Sequence, residues 1–145
     1  PFQWGSKRTG PDLARVGGKY SDEWHRDHFI DPRSVVPASI MPAYPWLART
    51  VLDDSHIADD LKVQRALGVP YTQEMIERAS ADLRAQATPD SPDVDELLKR
   101  YPKAAAHDFD GNPRAVSEAD ALIAYLQMLG TQVDFKLYDD KANLR

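Results

Sequence analysis

Met41 carries the most pointed chemistry in this 145-residue chain. It lies between Pro37 and Pro42, in a stretch 32–46 that also holds Pro32, Pro45, Val35, Val36, Ile40, Tyr44 and Trp46. A thioether is a soft ligand suited to haem iron or copper, and it raises the potential of a haem it ligates. Flanking prolines restrict the backbone, which suits a ligand held at a fixed depth. Filling a core gap is the plainer use of the same side chain. His25 and His28 stand at i, i+3 on a predicted helix and could share a metal, but spacing pins no third ligand; packed or surface histidines fit equally. His56 and His107 have no partner that spacing can name. Asp108-Phe109-Asp110-Gly111-Asn112 has the flavour of a calcium loop. An EF-hand needs glycine at position six and glutamate at position twelve. Here Gly111 stands at position four and Ala119 at position twelve, so the segment reads as a solvated turn. There is no phosphate-cradling glycine loop and no G-x-S-x-G. Asp53-Asp54 and Asp59-Asp60 read as helix-start and surface charges, and nothing nominates a hydrolytic site.

Composition narrows the chemistry further. The chain has no cysteine. That excludes disulfides, thiolate zinc sites, a cysteine nucleophile and covalent c-type haem attachment within it. A net charge of −5 and a pI near 5.3 argue against a nucleic-acid partner. Charge is uneven: residues 1–50 hold seven Lys/Arg against five Asp/Glu, and residues 51–145 hold eleven against eighteen. The length fits one domain, and 42% hydrophobic residues with 13 aromatics can build a core. Mean hydropathy of −0.55 fits a well-hydrated surface. No apolar run approaches the ~20 residues of a membrane helix. The chain opens on Pro1 with no signal-peptide pattern and reads as a piece of something longer.

Positioning these residues falls to helices and long loops. Glycines and Gly10-Pro11 punctuate residues 1–20 and forbid a long helix. Ser21 caps a short helix that carries Asp22 and Glu23 in its first turn and ends before Pro32. Four prolines forbid a regular helix or central strand over 32–46. Ser55 is read as the cap of a helix to Leu67, stopped by Gly68 and Pro70. Thr72 opens a second helix running toward Pro89. Ser91-Pro92 opens a third with Val94, Leu97, Leu98 and Tyr101 on one stripe. Ser117, with Asp120 three residues on, opens the last helix. Its predicted apolar face is Leu122, Tyr125, Leu126 and Leu129, and Gly130 ends it. No strand pattern and no repeat stands out, so the fold class is all-α with long loops.

The order of motifs carries a resemblance. Gly10-Pro11-Asp12-Leu13 comes first. A short helix then runs into Asp31-Pro32-Arg33-Ser34-Val35-Val36-Pro37-Ala38-Ser39-Ile40-Met41-Pro42-Ala43-Tyr44, and the chain closes on Ala124-Tyr125-Leu126-Gln127-Met128-Leu129-Gly130. This resembles the distal two thirds of a class I cytochrome c. Residues 1–47 are most similar to the mono-haem cytochrome c subunit of cbb3-type cytochrome c oxidases. The resemblance implies one cytochrome c-like helical domain over 1–145, with 51–116 as a helical segment inserted between the methionine loop and the last helix. It implies a haem c in the intact subunit that relays electrons to the oxygen-reducing subunit, with Met41 as the distal iron ligand. Pro11, Leu13, Ile40, Tyr44, Trp46 and Tyr125 are then candidate pocket walls. The C-x-x-C-H motif of that family is absent, so the proximal histidine maps onto no residue here and this fragment is expected to be haem-free and inactive alone.

The partners implied are the other oxidase subunits and a cytochrome c-type donor, in a bacterial inner-membrane complex with this domain on the periplasmic side. A different class of reading treats residues 51–116 as an acidic helical docking module without a redox role. A haem-sized cleft lined by Ile40, Met41, Tyr44 and Trp46 on one side, and by Leu122, Tyr125 and Leu126 on the other, is expected to be empty. Covering it would favour a homodimer or higher species.

Overall fold

A computed structural model describes residue 10 and residues 12–132. Pro11 lies outside the described residues. Among the described residues seven α-helices and one 3-10 turn make up the architecture, so the fold is all-α: the turn Leu13–Arg15, then α1 Asp22–Ile30, α2 Pro32–Val35, α3 Ile57–Ala66, α4 Gln73–Glu77, α5 Ala79–Gln86, α6 Val94–Arg100 and α7 Glu118–Met128.

Local chemistry explains most boundaries. The Ser21 hydroxyl accepts from the Trp24 N–H, and α1 stops at Asp31, which is extended at φ −146°. Thr72 accepts from the Met75 N–H at the start of α4. At α7 the Ser117 hydroxyl accepts from the Asp120 N–H while the Asp120 carboxylate accepts from the Ser117 N–H, a complete capping box. Four expectations need correction. A single helical turn, α2, does form inside the proline stretch, because proline is tolerated at a first helical position and Asp31 caps it through the Arg33 N–H. Ser55 does not cap α3: the helix starts at Ile57, its N-cap position is His56 and no side chain caps it. The second predicted helix breaks at Arg78 into α4 and α5. Its buried residues Ile76, Ala79, Asp82 and Ala85 are spaced by three. On a helix of 3.6 residues per turn that row drifts about 60° per step, and the break resets it toward the interior. Finally, α6 starts at Val94 rather than at Pro92, and Leu98 on its predicted stripe is exposed.

The core is one cluster of Val16, Phe29, Phe109, Ile123 and Leu126, with Tyr20, Met41, Leu47, Leu122, Ala124 and Leu129 packed against it. Ile123, absent from the predicted apolar face of α7, is 0% exposed and lies at its centre, whereas Tyr125 is 54% exposed. The inward row is Ala119, Ile123 and Leu126, rotated from the leucine row. Met41, Leu122 and Leu126 therefore share one packed interior. Val16, Phe29, Phe109 and Ile123 form the shared centre of that interior, while Ile40, Trp46 and Tyr125 stay exposed around it.

Two close approaches tie this core to the chain around it. The turn before α1 meets the end of α7 backbone to backbone: Gly17 N–H donates to Leu129 O at 2.9 Å, and a Cβ on Gly17 would sit 2.3 Å from Gln127 O. Beside it the Gln127 side chain accepts from Gly18 N–H at 2.9 Å and donates to Tyr20 O at 2.9 Å and to Asp22. Where residues 51–116 leave and rejoin this core, Val51 and Ser117 form an isolated antiparallel bridge. Leu52 N–H donates to Val116 O at 2.9 Å, and Glu118 N–H to Thr50 O at 3.0 Å.

Candidate functional site

Met41 is half-buried, with its side chain against the core cluster. The loop that presents it is fastened at both ends. Buried Pro32 and the α2 turn hold the first end, and at the second Tyr44 N–H donates to Phe29 O at 2.7 Å. Apolar side chains of the same loop reach outward: Ile40 is 76% and Trp46 52% exposed, and Val36 is exposed as well; Leu13, in the 3-10 turn, is 48% exposed. Tyr44 is half-buried and meets Trp46 edge to face at 5.2 Å between centroids. Tyr125 lies apart from this group, in the wall of a groove of about 1060 Å³ between α7 and α3–α6 that none of Leu13, Ile40, Met41, Tyr44 or Trp46 lines.

A stacked column of rings runs onto helix α1: Tyr20, just before the helix, lies on Trp24 at 4.0 Å and Trp24 on His28 at 4.6 Å, with interplanar angles of 15° and 11°. Within the helix, the spacing of four residues puts Trp24 and His28 over one another. His25 is buried, with its ring edge-on to Trp24 at 5.4 Å. Neither His25 Nε2 nor His28 Nδ1 has a hydrogen-bond partner. Burial lowers both imidazoles below 6.5, for His25 against the opposing charge of Asp22. Neutral rings buried in this way read as packed histidines; the three-residue group with metal-binding spacing among the described residues is elsewhere, and no histidine belongs to it.

That group is Asp108, Asp110 and Asp120. The turn read as solvated is in fact inside: Phe109 is 3% and Asp110 5% exposed. Asp120 accepts from Asp110 N–H at 2.9 Å and from Ser117 N–H at 2.8 Å, and the Ser117 hydroxyl bonds Asp110 at 2.6 Å. Burial raises the Asp120 carboxyl above its ordinary value, opposed by the Ser117 N–H and reinforced by the neighbouring charge of Asp110. These bonds make Asp110 and Asp120 a brace between the turn and the start of α7. The signal for it was present as Asp110, Ser117 and Asp120, but only the last two are local enough to be read as a cap. His107, for which spacing named no partner, sits 3.0 Å from Asp22, the carboxylate that also takes Gln127.

Between the outer helices Arg100 donates to Asp82 through Nε at 2.9 Å and through a second nitrogen, and to Glu74 at 3.2 Å. Those bonds, Asp82 first, raise the arginine's already high pKa further, so it stays charged. The arrangement as a whole has one side chain of ligand chemistry on a fastened loop, an apolar backing, and exposed apolar neighbours.

A family model described as cytochrome c oxidase, mono-heme subunit/FixO, matches residues 1–133. The chain belongs to this family. Membership makes it part of an oxidase subunit that carries a single haem and works in electron transfer beside other subunits. The absence of cysteine means that covalent haem attachment cannot be made by this chain. Among the described residues no helix is long and apolar enough to cross a membrane. A comparison with curated proteins returns no match.

Proposed function

We propose that this chain forms the distal side of the haem domain in a cbb3-type cytochrome c oxidase, with Met41 as the iron ligand opposite a histidine supplied from outside the chain. The observation that carries this reading is the loop itself. It brings a soft thioether to the edge of an apolar core and is anchored on both sides of the ligand. The surroundings suit a haem: Ile40 and Trp46 offer exposed apolar surface that a porphyrin would cover, and Tyr44 supports Trp46. A bound haem supplies reversible one-electron chemistry. This chain's residues position and tune: Met41 would favour the reduced iron, and the apolar neighbours would exclude water from it. Pro11 and Leu13 would support the opposite face, and Tyr125 would stand at the far end of the last helix.

In this reading electrons arrive from a cytochrome c-type donor on the periplasmic side of the inner membrane and leave toward the oxygen-reducing subunit. Residues 51–116 are an insertion whose last part, from His107 on, packs back into the haem domain through Phe109. Their groove against α7, lined by Leu61, Tyr71, Met75, Leu97 and Tyr101, favours a second role in contact with neighbouring subunits. The test of the main reading is Met41→His in the haem-bearing intact subunit. The haem is expected to stay low-spin while its midpoint potential falls, because imidazole favours the ferric iron more than thioether does. An unchanged potential and spectrum would mean that another residue is the distal ligand.

A further inference from the structure

We infer that Ser39, held by Arg33, is the positioning residue that fixes Met41, an inference that rests on the reading of Met41 as a ligand. All three polar groups of Ser39 are used inside the methionine loop. Its N–H donates to Val36 O at 2.8 Å, its hydroxyl oxygen accepts from Met41 N–H at 3.2 Å, and its carbonyl accepts from Arg33 Nε at 3.3 Å. Arg33 is itself fixed, because its N–H is taken by Asp31, the residue that caps α2.

The loop between buried Pro32 and Tyr44 has prolines at 37 and 42, neither of which has an N–H to give. Ser39 thus links the Met41 backbone to the α2 turn that packs on α1. Its neighbour Ile40 is 76% exposed and contributes no anchoring contact of comparable kind. The bond from Met41 N–H to a side chain two residues back sets where the Met41 Cα stands, and with it the range the sulfur can reach. A ligand held this way gains affinity because little freedom is left to lose on binding. Ser39 touches neither iron nor porphyrin in this argument; it acts through Met41.

The experiment uses the haem-bearing intact subunit with Ser39→Ala and Ser39→Thr, and added imidazole as the competitor for the distal position. Loss of one such bond should raise the apparent imidazole affinity of Ser39→Ala about fivefold and weaken the charge-transfer band of the methionine–ferric bond. Ser39→Thr keeps the hydroxyl and should restore both. A second measurement, on the haem-free chain, is amide hydrogen exchange at Met41, which should speed up in Ser39→Ala and return in Ser39→Thr. Imidazole affinity within twofold of the parent, or a threonine variant that behaves like alanine, overturns the inference. If Met41→His shows that Met41 is not the ligand, the Met41 amide measurement still decides whether Ser39 fixes the loop.

Discussion

Gly17→Ala tests the contact on which the ends of the domain meet. A Cβ at residue 17 would stand 2.3 Å from Gln127 O, 2.7 Å from Leu129 O and 2.9 Å from Gln127 C, where ordinary contact begins near 3.4 Å. The turn and the last turn of α7 must therefore separate by roughly 1.1 Å, and all three obstructing atoms are backbone. Overpacking of this kind costs about 1–3 kcal/mol. The shift also stretches two hydrogen bonds, Gly17 N–H to Leu129 O and Gly18 N–H to the Gln127 side chain, each 2.9 Å now and each worth about 1 kcal/mol. A total of about 3–4 kcal/mol is a large share of the ~5–15 kcal/mol that stabilises a domain. At about 2–4 °C per kcal/mol it lowers Tm by roughly 10 °C. Gly18→Ala is the control. Gly18 sits at φ +69° with nothing near its would-be Cβ, so the change costs only the left-handed strain of about 1–2 kcal/mol. Thermal unfolding followed by far-ultraviolet circular dichroism measures both variants. If Gly17→Ala melts at or above Gly18→Ala, the backbone approach is not what holds these segments.

Three further outcomes follow from the same packing. Asp120→Ala removes the acceptor of two backbone N–H groups and should cost about 2–4 kcal/mol; because the Asp120 pKa is raised, its contribution is fullest below the ordinary carboxylate value of 3.8 and shrinks as pH rises through the folded value, so urea midpoints should differ more from the parent in acid. His25→Leu should leave stability at neutral pH equal or higher, since it removes an unpartnered buried nitrogen. The parent should lose stability as pH falls below 6.5, where the unfolded chain binds a proton that folded His25 resists, and the variant should lose less. Arg100→Met strands the buried Asp82 carboxylate and should cost about 3–5 kcal/mol. Hydrogen exchange should rise in α4–α6 while α7 stays protected, and uniform loss of protection would refute a local role.

Local chemistry made some of this fold legible and hid the rest. Ser21, Thr72 and the Ser117–Asp120 pair each cap from a few residues away, and each is found where its sequence put it. Ser55 looked the same on paper, but α3 starts only at Ile57, with His56 at the cap position and no side-chain cap. Burial is where sequence failed most. Phe109 and Asp110 sit in a polar, glycine-containing turn, and their partners Val16, Ser117 and Asp120 lie seven or more residues away. Ile123 was hidden by a row of leucines, because which face of α7 turns inward depends on α1, far off in the chain. At the candidate site the residue type of Met41 and its prolines were readable, and the family match spans residues 1–133. The hydrogen bonds of Ser39 were not, since neither a serine nor an arginine announces which carbonyl or N–H it will meet.

The bridge between Val51 and Ser117 has a consequence for how this chain can be shortened or lengthened. Residues that pair across an antiparallel bridge stand only about 4.5–5.5 Å apart, so the sixty-odd residues between them leave and return at one doorway. An excursion with adjacent ends can change length at a cost that grows only with the logarithm of its size. The core, however, takes Phe109 back through that doorway, and His107 reaches Asp22 beside it. The freely variable stretch therefore ends before His107, and a minimal domain would join the strand end at Leu52 to a segment beginning near residue 106 by a short turn. Everything from His107 to Ser117 must travel with the core, although along the sequence it belongs to the excursion.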